Sequence, residues 1–296
     1  MTSLPGFGIA MIGDRINPGF KSTKLLLDNE DLAGVQALAV KQVKAGASAL
    51  DVTIGPREAT DPVYLAKVVR AIQDAVQVPL CFDSPDIKVQ EVCLKTYDRA
   101  RAGGKSALIN SITEQRWDLM DLYKPLWPFQ VIVMASERMQ DGAARANKTA
   151  DEIAATAKRA ALRLQSDYGM SLHDIYIDVS VSAVVADTTG LHRATLEAVR
   201  RLHADPQLPG LHIMGGLTNI GQQLPPKAAD GSDLKLSLEC AFLTLAVPLG
   251  FDTILCTPWR NYHPLADDNY VLIAYKNILE QTGSNALRAV RKLYRA

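Results

Sequence analysis

The 296-residue sequence has few cysteines and histidines, and their spacing matches no common metal-binding motif. The four cysteines are Cys81, Cys93, Cys240 and Cys256, and no two of them form a Cys-x-x-Cys pair. The five histidines, which also lack metal-binding spacing, are His173, His192, His203, His212 and His263. We predict reduced, buried thiols, as in a cytoplasmic protein, and no bound metal. His212 is interpreted as a core or inter-strand residue.

The sequence also has no excess of one charge and no long apolar run. Lys plus Arg and Asp plus Glu both number 32, so the formal net charge is zero and nothing predicts binding to nucleic acid or to an anionic membrane. No run approaches the roughly eighteen apolar residues of a membrane helix. Residues 1–20 contain no basic leader, so no signal peptide is predicted. The hydrophobic content of 48% is enough for a large core.

Three catalytic motifs are missing. No Gly-x-Gly-x-x-Gly follows the first predicted strand, which argues against a dinucleotide-binding fold. No Gly-x-Ser-x-Gly elbow is present, which argues against a serine hydrolase of that type. No predicted strand contains a lysine that could form a Schiff base. Any site must therefore be built from other polar groups.

Apolar, strand-like runs alternate with stretches of helical periodicity along the whole chain. The predicted strands are 8–13, 49–55, 79–83, 107–111, 129–134, 174–179, 211–217 and 253–257. The predicted helices are 32–45, 62–76, 85–102, 114–126, 149–168, 191–204, 236–249 and 267–279, and a basic helix follows at 284–296. Helical connections favour parallel strands, and eight such units favour a closed (β/α)8 TIM barrel with an extra C-terminal helix over an open doubly wound sheet. We expect one domain covering residues 1–296.

Polar residues lie within or just after the C-terminal parts of most of the predicted strands. They are Asp14 and Asn17 on the first strand, Asp51 and Thr53 on the second, Asp83 and Ser84 on the third, Asn110 and Ser111 on the fourth, Asp178 on the sixth and Asn219 on the seventh. The active site of a TIM barrel lies at these strand ends, and a ring of carboxylates and amides is suited to a polar heterocycle. Two alternatives are structural. Asp83 and Ser84 have the position of helix caps, and Asp51 is expected to form a salt bridge with Arg15 or a lysine.

The seventh predicted strand ends in Gly215, Gly216 and, after Leu217 and Thr218, Asn219. Glycines let the backbone approach a flat ligand, and an asparagine side chain has both a donor and an acceptor. The alternative is an ordinary tight turn.

Six motifs together resemble the pterin-binding methyltransferases of the dihydropteroate synthase superfamily. They are Gly-Asp-Arg-Ile-Asn at 13–17, Leu-Asp-Val-Thr-Ile-Gly-Pro at 50–56, Phe-Asp-Ser at 82–84, Leu-Ile-Asn-Ser at 108–111, Tyr-Ile-Asp at 176–178 and Gly-Leu-Thr-Asn at 216–219. In that family a (β/α)8 barrel binds tetrahydrofolate and exchanges a methyl group with the cobalt of a corrinoid protein or domain. The resemblance covers nearly the whole chain.

The resemblance implies roles for particular residues. Asp83, Asn110 and Asp178 would hydrogen-bond the pterin ring, and Asn219 would lie beside its N5 as the catalytic residue, with Gly216 next to it. Further contacts are expected from Asn17, Thr53, Ser111 and Lys227. Three positions depart from the family pattern, because Thr53 replaces an asparagine, Asp14 a glutamate, and Lys227 an arginine.

The implied activity is methyl transfer between N5 of tetrahydrofolate and cobalt, in one-carbon metabolism. The substrates would be tetrahydrofolate and 5-methyltetrahydrofolate. Because no Asp-x-His-x-x-Gly motif is found, cobalamin would come from a partner corrinoid protein or as the free cofactor. We expect the partner near residues 18–20, 137–145 and 225–233, and a homodimer through residues 236–249 or the C-terminal helix. Two alternatives stay open: a folate-binding subunit without catalysis and a dihydropteroate synthase-like enzyme.

Overall fold

The structure, a computed structural model, describes residues 6–126 and 128–295. Its strands are β1 (Ala10–Ile16), β2 (Ala49–Val52), β3 (Leu80–Asp83), β4 (Ala107–Ile112), β5 (Phe129–Met134), β6 (Glu137–Gln140), β7 (Ala143–Ala146), β8 (Ile175–Asp178), β9 (His212–Gly216) and β10 (Thr253–Cys256). Eight of them are parallel and close into a barrel in the order β1-β10-β9-β8-β5-β4-β3-β2. The predicted TIM barrel is therefore confirmed.

Helices cover the outside of the barrel. They are α1 (Lys21–Asp28), α2 (Leu32–Lys44), α3 (Arg57–Thr60), α4 (Pro62–Ala75), α5 (Ile87–Thr96), α6 (Tyr123–Leu126), α7 (Ala150–Tyr168), α8 (Leu191–His203), α9 (Leu234–Ala246), α10 (Tyr270–Leu279) and α11 (Gly283–Lys292). Asp61 caps α4 by accepting from Tyr64 N, and Pro62 occupies the first helical position, as the sequence predicts. The predicted C-terminal helix is α11.

The structure differs from the prediction in five segments. Strand β1 runs on to Ile16, three residues beyond the predicted end at Gly13. Helix α5 starts at Ile87 because Asp86 is its cap, so Ser84 is not the predicted cap. The segment predicted as a helix over 114–126 is a 3₁₀ helix, Trp117–Leu122, followed by the short α6. Helix α1 and the β6–β7 hairpin were not predicted, because short elements give little periodic signal.

The core has an inner layer within the barrel and larger layers between strands and helices. The inner layer consists of Ile12, Ala49, Cys81, Leu108, Ile132, Tyr176 and Met214. All four cysteines are buried and free. His212 is an inter-strand residue, as predicted: its Nδ1 lies 2.8 Å from an Asp252 carboxylate oxygen, and its ring stacks on Tyr176.

Helix α9 is largely enclosed by the rest of the chain. Eight of its thirteen side chains are buried, including Phe242 and Leu243, which are fully buried. These buried side chains pack inside the chain, whereas Leu236, Leu245, Val247 and Leu249 are only partly buried. The homodimer expected through residues 236–249 or the C-terminal helix stays a prediction. Among the described helices none is long and apolar enough to cross a bilayer.

Candidate functional site

The C-terminal ends of the barrel strands bring the predicted pterin contacts to one face. Asp83 ends β3, Asp178 ends β8 and Gly216 ends β9, while Asn110 lies near the end of β4. The parallel register pairs Asp83 with Asn110 directly. Asn219 ends the 3₁₀ turn Leu217–Asn219 that follows β9. This face is where TIM barrels place their active sites.

Asp83 and Asp178 are the two carboxyl groups at strand ends, and Asp178 is the more buried of the two. Its side chain accepts a hydrogen bond from the Ser180 backbone N–H at 2.7 Å, and Ser180 adopts a positive φ of 59° to make the turn. Burial raises the pKa of Asp178 to about 6, and the hydrogen bond from Ser180 partly opposes this. The second carboxylate oxygen has no hydrogen-bond partner among the described residues. It is available to accept from a ligand.

Asp51 lies beneath Asp83 and Asn110 and is only 1% exposed. Asn110 Nδ2 lies 3.5 Å from an Asp51 carboxylate oxygen. No cation pairs with Asp51 within residues 6–126 and 128–295, so the expected salt bridge is wrong. Burial and the neighbouring Asp83 carboxyl raise the pKa of Asp51 well above its usual value. Asp51 therefore joins the acidic site instead of a structural ion pair.

Asp83 shares this electrostatic environment. Burial raises its pKa, and the nearby Glu58 carboxylate raises it further, while Arg116 lowers it. No hydrogen bond to its carboxylate is made by the described residues, so both oxygens are open to a ligand. Glu58 was not among the predicted site residues.

Gln90 holds the ends of β3 and β4 together, although the sequence analysis did not single it out. It is fully buried, and its Nε2 donates to the backbone carbonyls of Phe82 (2.8 Å) and Ser84 (2.9 Å) and contacts that of Asn110 (3.4 Å). Gln90 thus binds the carbonyls on both sides of Asp83 and approaches the carbonyl of Asn110 on the neighbouring strand. A glutamine on the buried face of α5, between Val89 and Cys93, was the signal available in the sequence.

Asn219 is exposed at the mouth of the barrel, and its side chain is oriented by a neighbour. Gln222 Nε2 donates to Asn219 Oδ1 at 2.8 Å, which leaves Nδ2 as the group free to donate to a ligand. A Cβ at Gly216 would lie 3.1 Å from Asn219 Nδ2, so a larger residue there would displace this amide by a few tenths of an ångström. Gln222 was also missed by the sequence analysis.

Asp14 connects three strand ends. Its carboxylate accepts from Thr257 Oγ1 at 3.1 Å, after β10, and lies 3.5 Å from Thr218 Oγ1, after β9. Burial raises the pKa of Asp14, and the Thr257 hydrogen bond partly offsets this. Asp14 therefore fixes the wall of the site next to Asn219.

Thr53 and Asn17, two other predicted ligand contacts, form hydrogen bonds within their own loops. Thr53 Oγ1 donates to Glu58 at 2.9 Å and accepts from Gly55 N at 3.1 Å. Asn17 Oδ1 accepts from Gly19 N at 2.8 Å in a turn after β1. Both side chains shape loops at the mouth.

The remaining two predicted contacts differ in exposure. Ser111 is buried and follows a cis peptide bond with Asn110. Lys227 is exposed, and its backbone pairs with that of Asp233 in an isolated bridge. The structure thus places Ser111 beside the site and Lys227 on the surface of the loop after β9.

A buried ion pair ties that loop to the segment after β10. Arg260 Nη1 lies 2.9 Å from Glu239 Oε1, and Arg260 Nη2 lies 3.5 Å from Asp233 Oδ1. The Glu239 side chain is only 1% exposed. Burial raises the pKa of Glu239 to about 7, although Arg260 opposes the shift.

The described part of the chain contains no group of three His, Cys, Asp or Glu that could hold a metal ion.

Known proteins match this chain over most of its length. The family described as pterin binding enzymes matches residues 16–255. A methylcorrinoid:tetrahydrofolate methyltransferase from Eubacterium limosum is 24% identical over 255 residues, which cover 84% of each chain.

Solved structures share the barrel. A dihydropteroate synthase from Stenotrophomonas maltophilia with bound imidazole matches with a TM-score of 0.58 and 15% identity, over 86% of this chain and 89% of that one. The Xanthomonas albilineans dihydropteroate synthase with 7,8-dihydropteroate matches with a TM-score of 0.55 and 16% identity, over 91% and 93% of the two chains. At such identities the likeness concerns the fold.

Proposed function

Since the chain belongs to the family of pterin-binding enzymes, we propose that it transfers a methyl group between N5 of tetrahydrofolate and the cobalt of a corrinoid, in one-carbon metabolism. The observation that carries the proposal is the position of Asn219, which follows β9 at the end of the barrel where Asp83, Asn110 and Asp178 lie and whose Nδ2 is free to donate. The relative named as a methylcorrinoid:tetrahydrofolate methyltransferase supports the same reaction.

The polar ring matches the edge of a pterin. The exocyclic amine and ring N–H groups donate hydrogen bonds, which the free oxygens of Asp83 and Asp178 can accept. The pterin carbonyl accepts, and the amide of Asn110 can donate to it. Binding a ligand here would also give hydrogen-bond partners to carboxyl groups that are otherwise costly to bury.

Asn219 would act on the reacting nitrogen. When the methyl group leaves N5, the N5–carbon bond breaks and its electron pair stays on N5, while the cobalt(I) nucleophile supplies the pair for the new carbon–cobalt bond. Negative charge therefore develops on N5, and a hydrogen bond from Asn219 Nδ2 becomes stronger in the transition state. One such donor is typically worth about 3 kcal/mol.

In the opposite direction N5 attacks the methyl group and loses a proton. Gln222 holds Asn219 Oδ1, so the amide is set as a donor in the described conformation. The amide would have to release Gln222 for its Oδ1 to accept a hydrogen bond from N5–H, and the proton that N5 loses would pass to solvent. Either direction uses the same geometry of N5, methyl carbon and cobalt.

The corrinoid is proposed to arrive on a partner protein, or as free cobalamin, at the mouth of the barrel. The β6–β7 hairpin follows β5 at this face, and all four residues of its second strand are exposed. Residues 18–20 and 225–233 belong to the loops after β1 and β9 on the same side. We also propose a homodimer of such single barrel domains.

An anaerobic assay tests the proposal. Purified protein is mixed with methylcobalamin and tetrahydrofolate, and loss of the methyl–cobalt absorption band is followed together with formation of 5-methyltetrahydrofolate. We expect turnover that the Asn219→Ala variant loses while it still binds tetrahydrofolate. Folate binding with no transfer to or from free cobalamin or any corrinoid protein would instead indicate a binding subunit. Formation of dihydropteroate from a pterin diphosphate and 4-aminobenzoate would favour the synthase alternative.

A further inference from the structure

A cavity of about 280 Å³ opens at the end of the barrel where the strands begin, opposite to the candidate site. Its inner end is apolar and includes Ile12, Leu108 and the ring of Tyr176. Its opening is polar and includes Arg99, Lys105 and Asp174. We call this space the lower cavity.

The sequence explains why this end of the barrel is not filled. Side chains two positions apart on a strand face the same side, so the residue two positions before a member of the inner layer lies one layer lower in the barrel. Bulky branched residues dominate the layers inside an ordinary TIM barrel. The residues two positions before Ile12, Leu108, Ile132 and Tyr176 are Ala10, Ser106, Gln130 and Asp174, which all line the lower cavity. Small and polar residues thus stand where bulky apolar ones would close the barrel.

The lower cavity is separate from the candidate site. Asn110 and Asp178 stand two positions after Leu108 and Tyr176 on the same strands. The inner layer of the core therefore lies between the cavity and these polar groups. A molecule in the lower cavity would be a second ligand and would not touch the reacting atoms of the proposed reaction.

Charges of both signs stand at the opening. Arg99 and Lys105 are exposed in the segment between α5 and β4, and neither forms an ion pair with a carboxylate of the described residues. Across the opening, Asp174 Oδ1 accepts from Gln130 Nε2 at 3.1 Å, and its Oδ2 has no hydrogen-bond partner in the described part of the chain. A simple anion would be attracted by the two cations but repelled by Asp174. A ligand that carries both charges matches the opening better.

We propose that the lower cavity binds an apolar α-amino acid. Its volume lies just below the roughly 300–1,000 Å³ of pockets for drug-sized ligands, so it suits one smaller molecule. The side chain of the amino acid would pack against Ile12, Leu108 and Tyr176, which removes apolar surface from water. Its carboxylate would face Arg99 and Lys105, and its ammonium group would face Asp174. This proposal does not depend on the proposed function.

Isothermal titration calorimetry of the whole protein with three related probes tests the proposal. L-Phenylalanine carries both charges, 3-phenylpropanoate lacks the ammonium group, and 2-phenylethylamine lacks the carboxylate. We expect phenylalanine to bind at least about tenfold more tightly than either of the others, because each of them loses one charge-assisted contact. Added salt should weaken its binding, since the opening is exposed to solvent.

Two charge variants assign the contacts. The double variant Arg99→Gln, Lys105→Gln should weaken phenylalanine and 3-phenylpropanoate by about tenfold and leave 2-phenylethylamine unchanged. Asp174→Asn should do the reverse, weakening phenylalanine and 2-phenylethylamine alone. The matched control is the double variant Lys88→Gln, Lys95→Gln, which removes the same charge from exposed positions on α5 outside the cavity and should change none of the affinities.

A variant that fills the space locates the ligand. Ala10→Leu places a larger side chain in the lower cavity and should abolish phenylalanine binding, while circular dichroism and thermal unfolding verify that the protein is folded. If this variant does not fold, the charge variants decide, because they change only residues at the opening.

Three outcomes would overturn the proposal. They are no phenylalanine binding to the wild type in the millimolar range, equal affinity for phenylalanine and 3-phenylpropanoate, and unchanged phenylalanine binding in a folded Ala10→Leu protein. Because calorimetry does not require turnover, failure of methyl transfer would leave this test intact, and loss of phenylalanine binding would leave the proposed function intact.

Discussion

Gln222 Nε2 donates a hydrogen bond to Asn219 Oδ1 at 2.8 Å, and this contact decides which end of the Asn219 amide faces a ligand. An amide that is free to rotate would present its oxygen or its nitrogen to N5. With the oxygen held, the nitrogen is the available donor. Gln222 is therefore a positioning residue for the proposed reaction.

The first prediction concerns this pair. Asn219→Ala should lower kcat by about 100-fold, because one preorganised donor is worth about 3 kcal/mol in a transition state. Gln222→Ala should lower kcat by about tenfold with little change in KM, and should have no further effect in the Asn219→Ala background. Steady-state kinetics of the four proteins complete the cycle. Additive losses would mean that Gln222 acts independently of Asn219.

The second prediction concerns the Gln90 clamp on β3 and β4. Gln90→Met keeps the volume but removes the donor to the carbonyls beside Asp83 and Asn110, so KM for tetrahydrofolate should rise by about tenfold. Gln73→Met is the matched control, since Gln73 is also buried but bonds the backbone of Asp98, on the outside of the barrel. It should lower the stability and leave KM unchanged. The same KM in both variants would refute a positioning role for Gln90.

The third prediction follows from the raised pKa of Asp178. Because the pKa is about 6 in the folded protein against an ordinary value of 3.8, protonated Asp178 stabilises the fold below about pH 4 and this stability is lost as the pH rises through 6. Asp178→Asn does not titrate, so its stability relative to the wild type should increase by roughly 3 kcal/mol between about pH 4 and pH 7. Urea unfolding at several pH values measures the difference. A difference independent of pH would show that the carboxyl titrates normally.

The fourth prediction concerns the ion pair of Arg260 and Glu239. Removing only the cation leaves a carboxylate that is 1% exposed, so Arg260→Gln should destabilise the protein by about 3 kcal/mol. The double variant with Glu239→Gln should recover most of the loss, because a neutral amide is less costly to bury. Denaturant unfolding of the single and double variants tests this. No recovery in the double variant would mean that the loss comes from packing and not from charge.

The alternation of strands and helices, and hence the barrel, followed from the sequence alone. Apolar runs and amphipathic periodicity are local properties, and parallel strands joined by helices have few ways to pack. The positions of Asp83, Asn110, Asp178 and Asn219 at one face followed from the same reasoning, since parallel strands end on the same side. Short elements such as α1 and the β6–β7 hairpin were missed because they contain too few residues to show a period.

What the tertiary structure decided were the partners of the polar groups. Asn110 contacts Asp51, which is 59 residues away in the sequence, and Thr218 contacts Asp14, which is 204 residues away. No local sequence pattern can therefore predict these contacts. Asp51 was expected to have a cation and has none among the described residues, because the barrel register places it below Asp83 and Asn110 instead. The roles of Gln90 and Gln222 also emerged only from the tertiary structure. Sequence periodicity determines which face of an element is buried, but side-chain hydrogen bonds and charge pairing depend on distances of a few ångströms that only the closed barrel sets.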